Sequence, residues 1–105
     1  MGCQGAIEAV NLLDVDCETF LTFTDAQAMA FRKFTIQQPD AQELIRSAFA
    51  DDEVTWVLIC GRSVVYEVKK EGKPLCPVEI LTYAEESGKA PVIITRDDAS
   101  HLGII

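Results

Sequence analysis

The sequence predicts an α+β fold: N-terminal helices followed by a β-β-α-β segment, with the helices packed on a small mixed sheet of three to four strands. Two observations support this fold. Hydrophobic residues make up 49% of the 105 residues and charged residues 25%, as is typical of folded globular proteins. The composition also changes near residues 51–53, where alanine- and glutamine-rich sequence gives way to β-branched and aromatic residues. We therefore expect a single domain over residues 1–105, with a helical half at about 5–50 and a strand-rich half at about 54–105.

The helical half begins with two short segments and a longer helix. Residues 5–13 predict a short helix, and residues 18–23 fit either a strand or the lead into a helix. Thr24 and Gln27 then have the spacing of a capping box, in which each side chain satisfies a free amide of the first helical turn. This helix should close before Pro39, because a residue that precedes proline is pushed out of the α region.

A second capping pattern predicts the next helix. Asp40 and Glu43 repeat the spacing of the first box, and the helix should run to about Ala50. Its apolar residues recur at the i, i+3, i+4, i+7, i+8 spacing of one helical face; they are Ala41, Leu44, Ile45, Ala48 and Phe49.

The strand-rich half begins with a β-hairpin. The apolar run Val54–Cys60 predicts a central strand that is covered on both faces. Gly61–Arg62 fits a two-residue turn with glycine first, so Ser63–Val68 should return as the antiparallel partner.

A helix and a third strand should follow the hairpin. Pro77 suits the first position of a helix and Gly88 its C-cap, and the apolar side chains between them share one face. Ala90–Thr95 predicts a strand, and Pro91 indicates that its start lies at an edge of the sheet. If this strand is a parallel neighbour of the second, the crossover between them should be right-handed. The apolar tail Leu102–Ile105 should pack down or add a short edge strand.

The charge balance argues against direct nucleic-acid binding. The chain has 17 acidic and 9 basic residues, and its net charge of −8 at pH 7 repels phosphate backbones. No apolar run approaches the roughly 20 residues that span a bilayer. The segment Met1–Leu13 contains no Lys or Arg, so it lacks the basic start of a signal peptide. We expect a soluble, cytoplasmic protein that binds neither membranes nor nucleic acids directly.

The four cysteines are too far apart in sequence for a C-x-x-C pair. Zinc sites made of thiolates commonly use such pairs, and disulfides need an oxidising compartment. We therefore expect reduced thiols, mostly buried as small hydrophobic groups, at Cys3, Cys17, Cys60 and Cys76. Neither a metal nor another cofactor is expected.

Cys60 is the first candidate for chemistry. A thiol beside Arg62 could have a lowered pKa and act as a nucleophile. A phosphatase-type loop, however, needs an arginine six residues after the cysteine, and Tyr66 stands there. We favour the interpretation in which Cys60 ends a central strand and Gly61–Arg62 is a hairpin turn.

His101 is the only histidine and the second candidate. Asp98 and His101 have the Asp-x-x-His spacing that places two metal ligands on one face of a helix. The segment shows no helix signal, however, and no third ligand is apparent. A solvated or capping role for these side chains is the interpretation that we favour.

No catalytic motif is present, so the leading hypothesis is a non-enzymatic, small acidic binding or regulatory module. It would act through a protein surface or through a pocket between helices and sheet, and its charge would favour a protein partner with a basic surface. The alternative is a small enzyme or ligand-binding protein that uses Cys60 or His101 in a cleft between helices and sheet. The candidate residues for a functional surface are Cys60, Arg62, Tyr66 and His101.

A homodimer is expected because the predicted strands are apolar on both faces. In the central strand, Trp56 and Leu58 should face one side, and Val57 and Ile59 the other. If the helices cover only one face of the sheet, the second face is free to pair with that of another copy. The alternative is that residues 5–23 fold back over the second face and make the monomer self-sufficient.

Overall fold

The computed structural model describes residues 11–105, which form five α-helices and one three-stranded sheet. The α+β fold class and the helices-first order are therefore confirmed. The elements in chain order are a 3-10 turn at Leu12–Asp14, α1 at Cys17–Leu21, α2 at Asp25–Thr35, α3 at Pro39–Ala48, β1 at Val54–Cys60, β2 at Ser63–Lys69, α4 at Pro77–Ser87, β3 at Pro91–Thr95 and α5 at Arg96–His101.

The segment that the sequence left open, residues 18–23, is mostly helical. It lies largely in α1, whose N-cap Asp16 accepts a hydrogen bond from the Thr19 amide at 2.7 Å. The helix predicted at residues 5–13 lies mostly outside the described residues, and its end forms only the 3-10 turn.

Helix α2 begins at the predicted capping box. Thr24 Oγ1 accepts a hydrogen bond from the Gln27 amide at 3.1 Å, and Gln27 Oε1 accepts one from the Thr24 amide at 2.9 Å. The helix ends at Thr35, before Pro39, as expected. The capping box explains the start of the helix, and Pro39 explains the extended backbone at Gln38.

Helix α3 forms where it was predicted, but Asp40 does not cap it. Pro39 occupies the first helical position, which suits a residue without an N–H, so the N-cap is Gln38. Asp40 consequently lies inside the first turn. Its carboxylate accepts hydrogen bonds from Arg62 at 2.9 Å and from Asn11 at 3.1 Å instead.

The sheet is entirely antiparallel, with the strand order β2-β1-β3. The prediction of a mixed sheet is therefore wrong. α4 carries the chain across one face of the sheet, so β3 pairs with the free edge of β1 and not with β2; no parallel crossover arises. β1 is central and β3 is an edge strand, as the apolar run and Pro91 predicted.

Gly61 permits the tight turn between β1 and β2. Its φ of +65° is unfavourable for residues with a side chain, and the flanking Cys60 and Ser63 pair directly across the turn. A shift of register further along leaves Val65 as an extra residue in β2. Such a β-bulge bends the strand and increases its local twist.

Both faces of β1 are covered by helices of the same chain. On the first face, Val57 and Ile59 join the main core, to which α2, α3 and α5 contribute. On the second face, Trp56 and Leu58 pack with Ile80 of α4. The predicted alternation of the central strand is therefore confirmed.

The second face is covered by α4, and the described part of the N-terminal segment, residues 11–23, does not lie there. Leu13, Phe20 and Phe23 pack on the main core at the first face. The uncovered sheet face on which the homodimer argument rested is thus absent from residues 11–105, because α4 occupies it. A homodimer stays a prediction without that ground.

The tail differs from the expectation in its helix. Thr95 ends β3 and caps α5, since its hydroxyl accepts a hydrogen bond from the Asp98 amide at 3.1 Å. The interpretation that this segment lacks a helix signal was therefore wrong. The signal is the N-cap Thr95, which is also the last residue of β3. Beyond α5, Ile104 packs into the main core, so the tail adds no fourth strand to the described sheet.

Trp56→Ala should lower the free energy of unfolding by about 3–5 kcal/mol, because it leaves a cavity between sheet and α4. The side chain is only 8% exposed. Urea unfolding followed by far-UV circular dichroism measures the loss and does not depend on the only tryptophan. Val78→Ala, at a 72% exposed position of α4, is the control and should change the value by less than about 0.5 kcal/mol. A loss below about 1 kcal/mol for Trp56→Ala would contradict this packing.

Candidate functional site

Cys60 lies at the end of β1 with 3% of its surface exposed. Burial raises the pKa of its thiol, although a hydrogen bond with Ser87 opposes this effect. A thiol that stays protonated is a weak nucleophile. Cys60 is placed as a core residue of the second sheet face.

Arg62 binds two carboxylates and not the neighbouring thiol. Its Nη1 donates to Asp40 Oδ2 at 2.9 Å, and its Nε and Nη2 each donate to the Asp14 carboxylate at 3.2 Å. The hydrogen bond from Arg62 lowers the pKa of Asp14. These side chains are about half exposed. Arg62 therefore ties the hairpin turn to the 3-10 turn and to α3.

His101 ends α5 at the surface. Its Nδ1 lies 2.9 Å from the carbonyl oxygen of Asp97, one turn earlier in the helix. The Asp98 carboxylate accepts a hydrogen bond from Arg32 Nη2 at 2.8 Å, so its charge is already paired within the protein. Among residues 11–105, no three His, Cys, Asp or Glu side chains are grouped closely enough to hold a metal ion.

The four candidate residues do not form one site. Tyr66 belongs to the same cluster as Cys60, and its ring packs against that of Tyr83 with the centroids 5.7 Å apart. Arg62 projects from the hairpin turn toward α3, and His101 lies at the end of α5. The structure thus brings together only Cys60 and Tyr66, within a packed cluster.

An apolar groove that the sequence did not predict lies between α1, α2, α4 and β3. Its volume is about 580 Å³. Two lining residues are charged, Asp25 and Arg32. The others are hydrophobic: Phe20, Leu21, Phe23, Ala28, Met29, Pro77, Ile80, Leu81, Pro91 and Ile93.

Three aromatic rings hold one side of the apolar groove in shape. The rings of Phe20, Phe23 and Phe31 pack in tilted and edge-on pairs, with centroids 5.7 to 5.9 Å apart. Phe31 is buried in the main core, so these rings connect the groove directly to it. The groove is therefore preformed by core packing.

The rim of the apolar groove exposes large hydrophobic side chains to solvent. Leu21 of α1, Met29 of α2 and Leu81 of α4 are each more than a third exposed, and Met29 reaches 73%. Contiguous apolar surface of this kind is typical of interaction sites.

Arg32, one of the two charged residues that line the apolar groove, binds two groups of the protein itself. Its Nε donates to the carbonyl oxygen of Ile93 at 2.7 Å, and its Nη2 donates to Asp98. The guanidinium therefore spans from α2 to the outer edge of β3 and to α5. Its charge is already paired within the protein.

A second, acidic depression adjoins the apolar groove. Its volume is about 400 Å³, and Leu21 lines both features. The lining includes the carboxylates of Asp16, Glu18 and Glu85. Burial raises the pKa of the Cys17 thiol in this depression, and the three carboxylates raise it further. The local potential is therefore negative.

Comparison with known protein families, with curated proteins and with solved structures finds no match. In the part of the chain that the structure describes, no helix has the length and apolar character needed to cross a bilayer.

The sequence contained part of the signal for the apolar groove. Pro77, Ile80 and Leu81 were expected on one face of a helix, and they form the α4 wall. The solvent exposure of Leu21 and Met29 could not be predicted from the sequence, because it depends on how α1 and α2 pack against each other.

Iodoacetamide at pH 7.5 should alkylate Cys76 at least about tenfold faster than Cys60, because Cys76 is exposed and Cys60 must first open to solvent. Peptide mass spectrometry measures the rate at each cysteine separately. Unfolding in urea is the control and should bring the two rates together. Fast native alkylation of Cys60 would contradict its burial and support the enzyme alternative.

Arg62→Gln should raise the pKa of Asp14 toward the ordinary carboxyl range, because it removes the hydrogen bond that lowers it. Because the folded-state pKa is depressed, the stabilisation is present at neutral pH and is lost as the pH falls through that pKa. The free energy of unfolding of the variant should therefore differ most from that of the wild type at neutral pH, and the difference should shrink as the pH falls. Side-chain NMR titration measures the shift.

Asp16 is the internal control for this titration. Hydrogen bonds from Thr19 are the main cause of its lowered pKa, so Arg62→Gln should leave that pKa unchanged. An Asp14 pKa that stays in place, or that moves together with that of Asp16, would contradict the assignment.

Proposed function

We propose that this protein is a non-enzymatic binding module whose apolar groove binds an apolar segment of a protein partner. The observation that carries the proposal is the solvent-exposed apolar rim at Leu21, Met29 and Leu81 around a preformed groove of about 580 Å³. Burying this rim against a partner would contribute the main favourable free energy of binding.

The chemistry of the apolar groove favours binding over catalysis. Its charged liners are Asp25 and Arg32, and Arg32 is already engaged with Ile93 and Asp98. Neither Cys60 nor His101 lines the groove. The alternative of a small enzyme that uses one of these residues has correspondingly less support.

The charge of the chain favours a partner with a basic surface. A net charge of −8 repels acidic proteins and nucleic acids and attracts basic proteins. Complementary charge raises the association rate and selects among partners, while the apolar contact holds the complex.

Met29→Asp should weaken partner binding at least about tenfold, because it places a charge on the rim of the apolar groove. Val78→Asp is the matched control: it makes the same charge change on α4 outside the groove, at 72% exposure against 73% for Met29. Each variant and the wild type are used to capture proteins from an extract of the source organism. Captured proteins are identified by mass spectrometry, purified and titrated by calorimetry.

A partner that binds the wild type and Val78→Asp directly, and binds Met29→Asp at least about tenfold more weakly, supports the proposal. If every purified partner binds all three proteins equally, the apolar groove is not the binding site. Circular dichroism of both variants checks that they are folded.

A further inference from the structure

We propose that the segment bound by the apolar groove is a short amphipathic helix with basic residues at one end of its contact surface. This inference rests on the proposed function and specifies the partner. Three features of the structure carry it: the direction of the groove, the charge of the adjoining acidic depression and the chemistry of the β3 edge.

The apolar groove and the acidic depression form one trough along α4. Pro77, Ile80 and Leu81 line the groove, and Glu85, one turn after Leu81, lines the depression. Leu21 of α1 lines both parts. At about 1.5 Å per residue, the distance along α4 from Pro77 to Glu85 is about 12 Å, or about two helical turns. A short helix matches this length.

The acidic depression defines the charge of the occupant at one end. The carboxylates of Asp16, Glu18 and Glu85 line it. Among the described residues, no cationic side chain is part of this lining. Lysine or arginine side chains one to two turns beyond the apolar anchors of a bound helix would lie over this depression.

The edge of β3 disfavours an extended peptide in the trough. A strand added there would need free backbone donors and acceptors along the edge. Pro91 has no N–H to donate, the carbonyl oxygen of Ile93 already accepts a hydrogen bond from Arg32, and Thr95 is the N-cap of α5. A helix satisfies its own backbone and needs only the apolar contact.

The test uses fluorescence anisotropy with the full chain and three labelled peptides of about 14 residues. The first is an amphipathic helix with leucine on one face, lysine at one end of that face and uncharged polar residues elsewhere. The second carries glutamate at each lysine position, and the third is a scramble of the first. The basic amphipathic peptide should bind about tenfold more tightly than either of the others at low salt. Its affinity should fall as salt is added.

Charge-reversed variants locate the contact. Glu85→Lys should weaken binding of the basic peptide about fivefold, whereas Glu86→Lys, the neighbouring exposed residue outside the trough, should weaken it less than about twofold. Met29→Asp should lower the affinity of the protein for every amphipathic peptide that binds the wild type. These results together support the inference.

Other outcomes overturn it and separate it from the proposed function. Equal affinity for the basic and acidic peptides overturns the charge of the partner, and equal affinity for the scramble overturns its helical form. If no peptide binds although a Met29-dependent protein partner is found, this inference fails and the proposed function stands. If neither is found, both fail.

Discussion

Strand β1 has no polar face to present to water, and this constraint organises the rest of the fold. From Trp56 to Cys60 its residues alternate between two apolar clusters, so helices must cover both sides of a sheet only three strands wide. The first side is covered by several helices and the second by α4. Only part of the surface of α4 is needed to cover this narrow sheet, and the rest of the helix surface stays free. The side of α4 that bears Pro77, Ile80 and Leu81 lines the apolar groove together with α1, α2 and β3.

Arginines connect the helices to the ends of this sheet. Arg32 joins α2 to β3 and α5, and Arg62 joins the hairpin turn to α3. Arg96 donates to the carbonyl oxygens of Val54 at 2.9 Å and Asp51 at 2.8 Å, and its guanidinium lies over the Phe49 ring. The chain has 9 basic and 17 acidic residues, and these three arginines are engaged in contacts within the protein. The acidic side chains that they do not pair therefore give the surface a negative potential toward an approaching molecule.

Local signals predicted most of the elements, because caps, glycine turns and apolar periodicity act over a few residues. Thr24 with Gln27, Gly61 and the Pro77–Gly88 pair lie where those signals placed them. Strand neighbours could not be predicted in this way, because the position of β3 beside β1 depends on tertiary packing. The apolar groove could not be predicted from the sequence for the same reason. Leu21 and Met29 are ordinary apolar residues in the sequence, and only the packed arrangement of α1, α2 and α4 leaves them exposed. The candidates picked for chemical reactivity, Cys60 and His101, occupy positions set by packing and helix ends instead.

The two edges of the sheet are also protected, in different ways. On β3, Pro91 lacks a donor and Arg32 occupies the carbonyl of Ile93. On β2, the bulge at Val65 interrupts the ladder, and Glu67 and Lys69 project charge at its end. Neither edge offers an uninterrupted row of free backbone groups, so strand-on-strand aggregation is suppressed. The apolar groove is therefore the exposed apolar feature on a described surface whose sheet edges do not offer a template for pairing between copies.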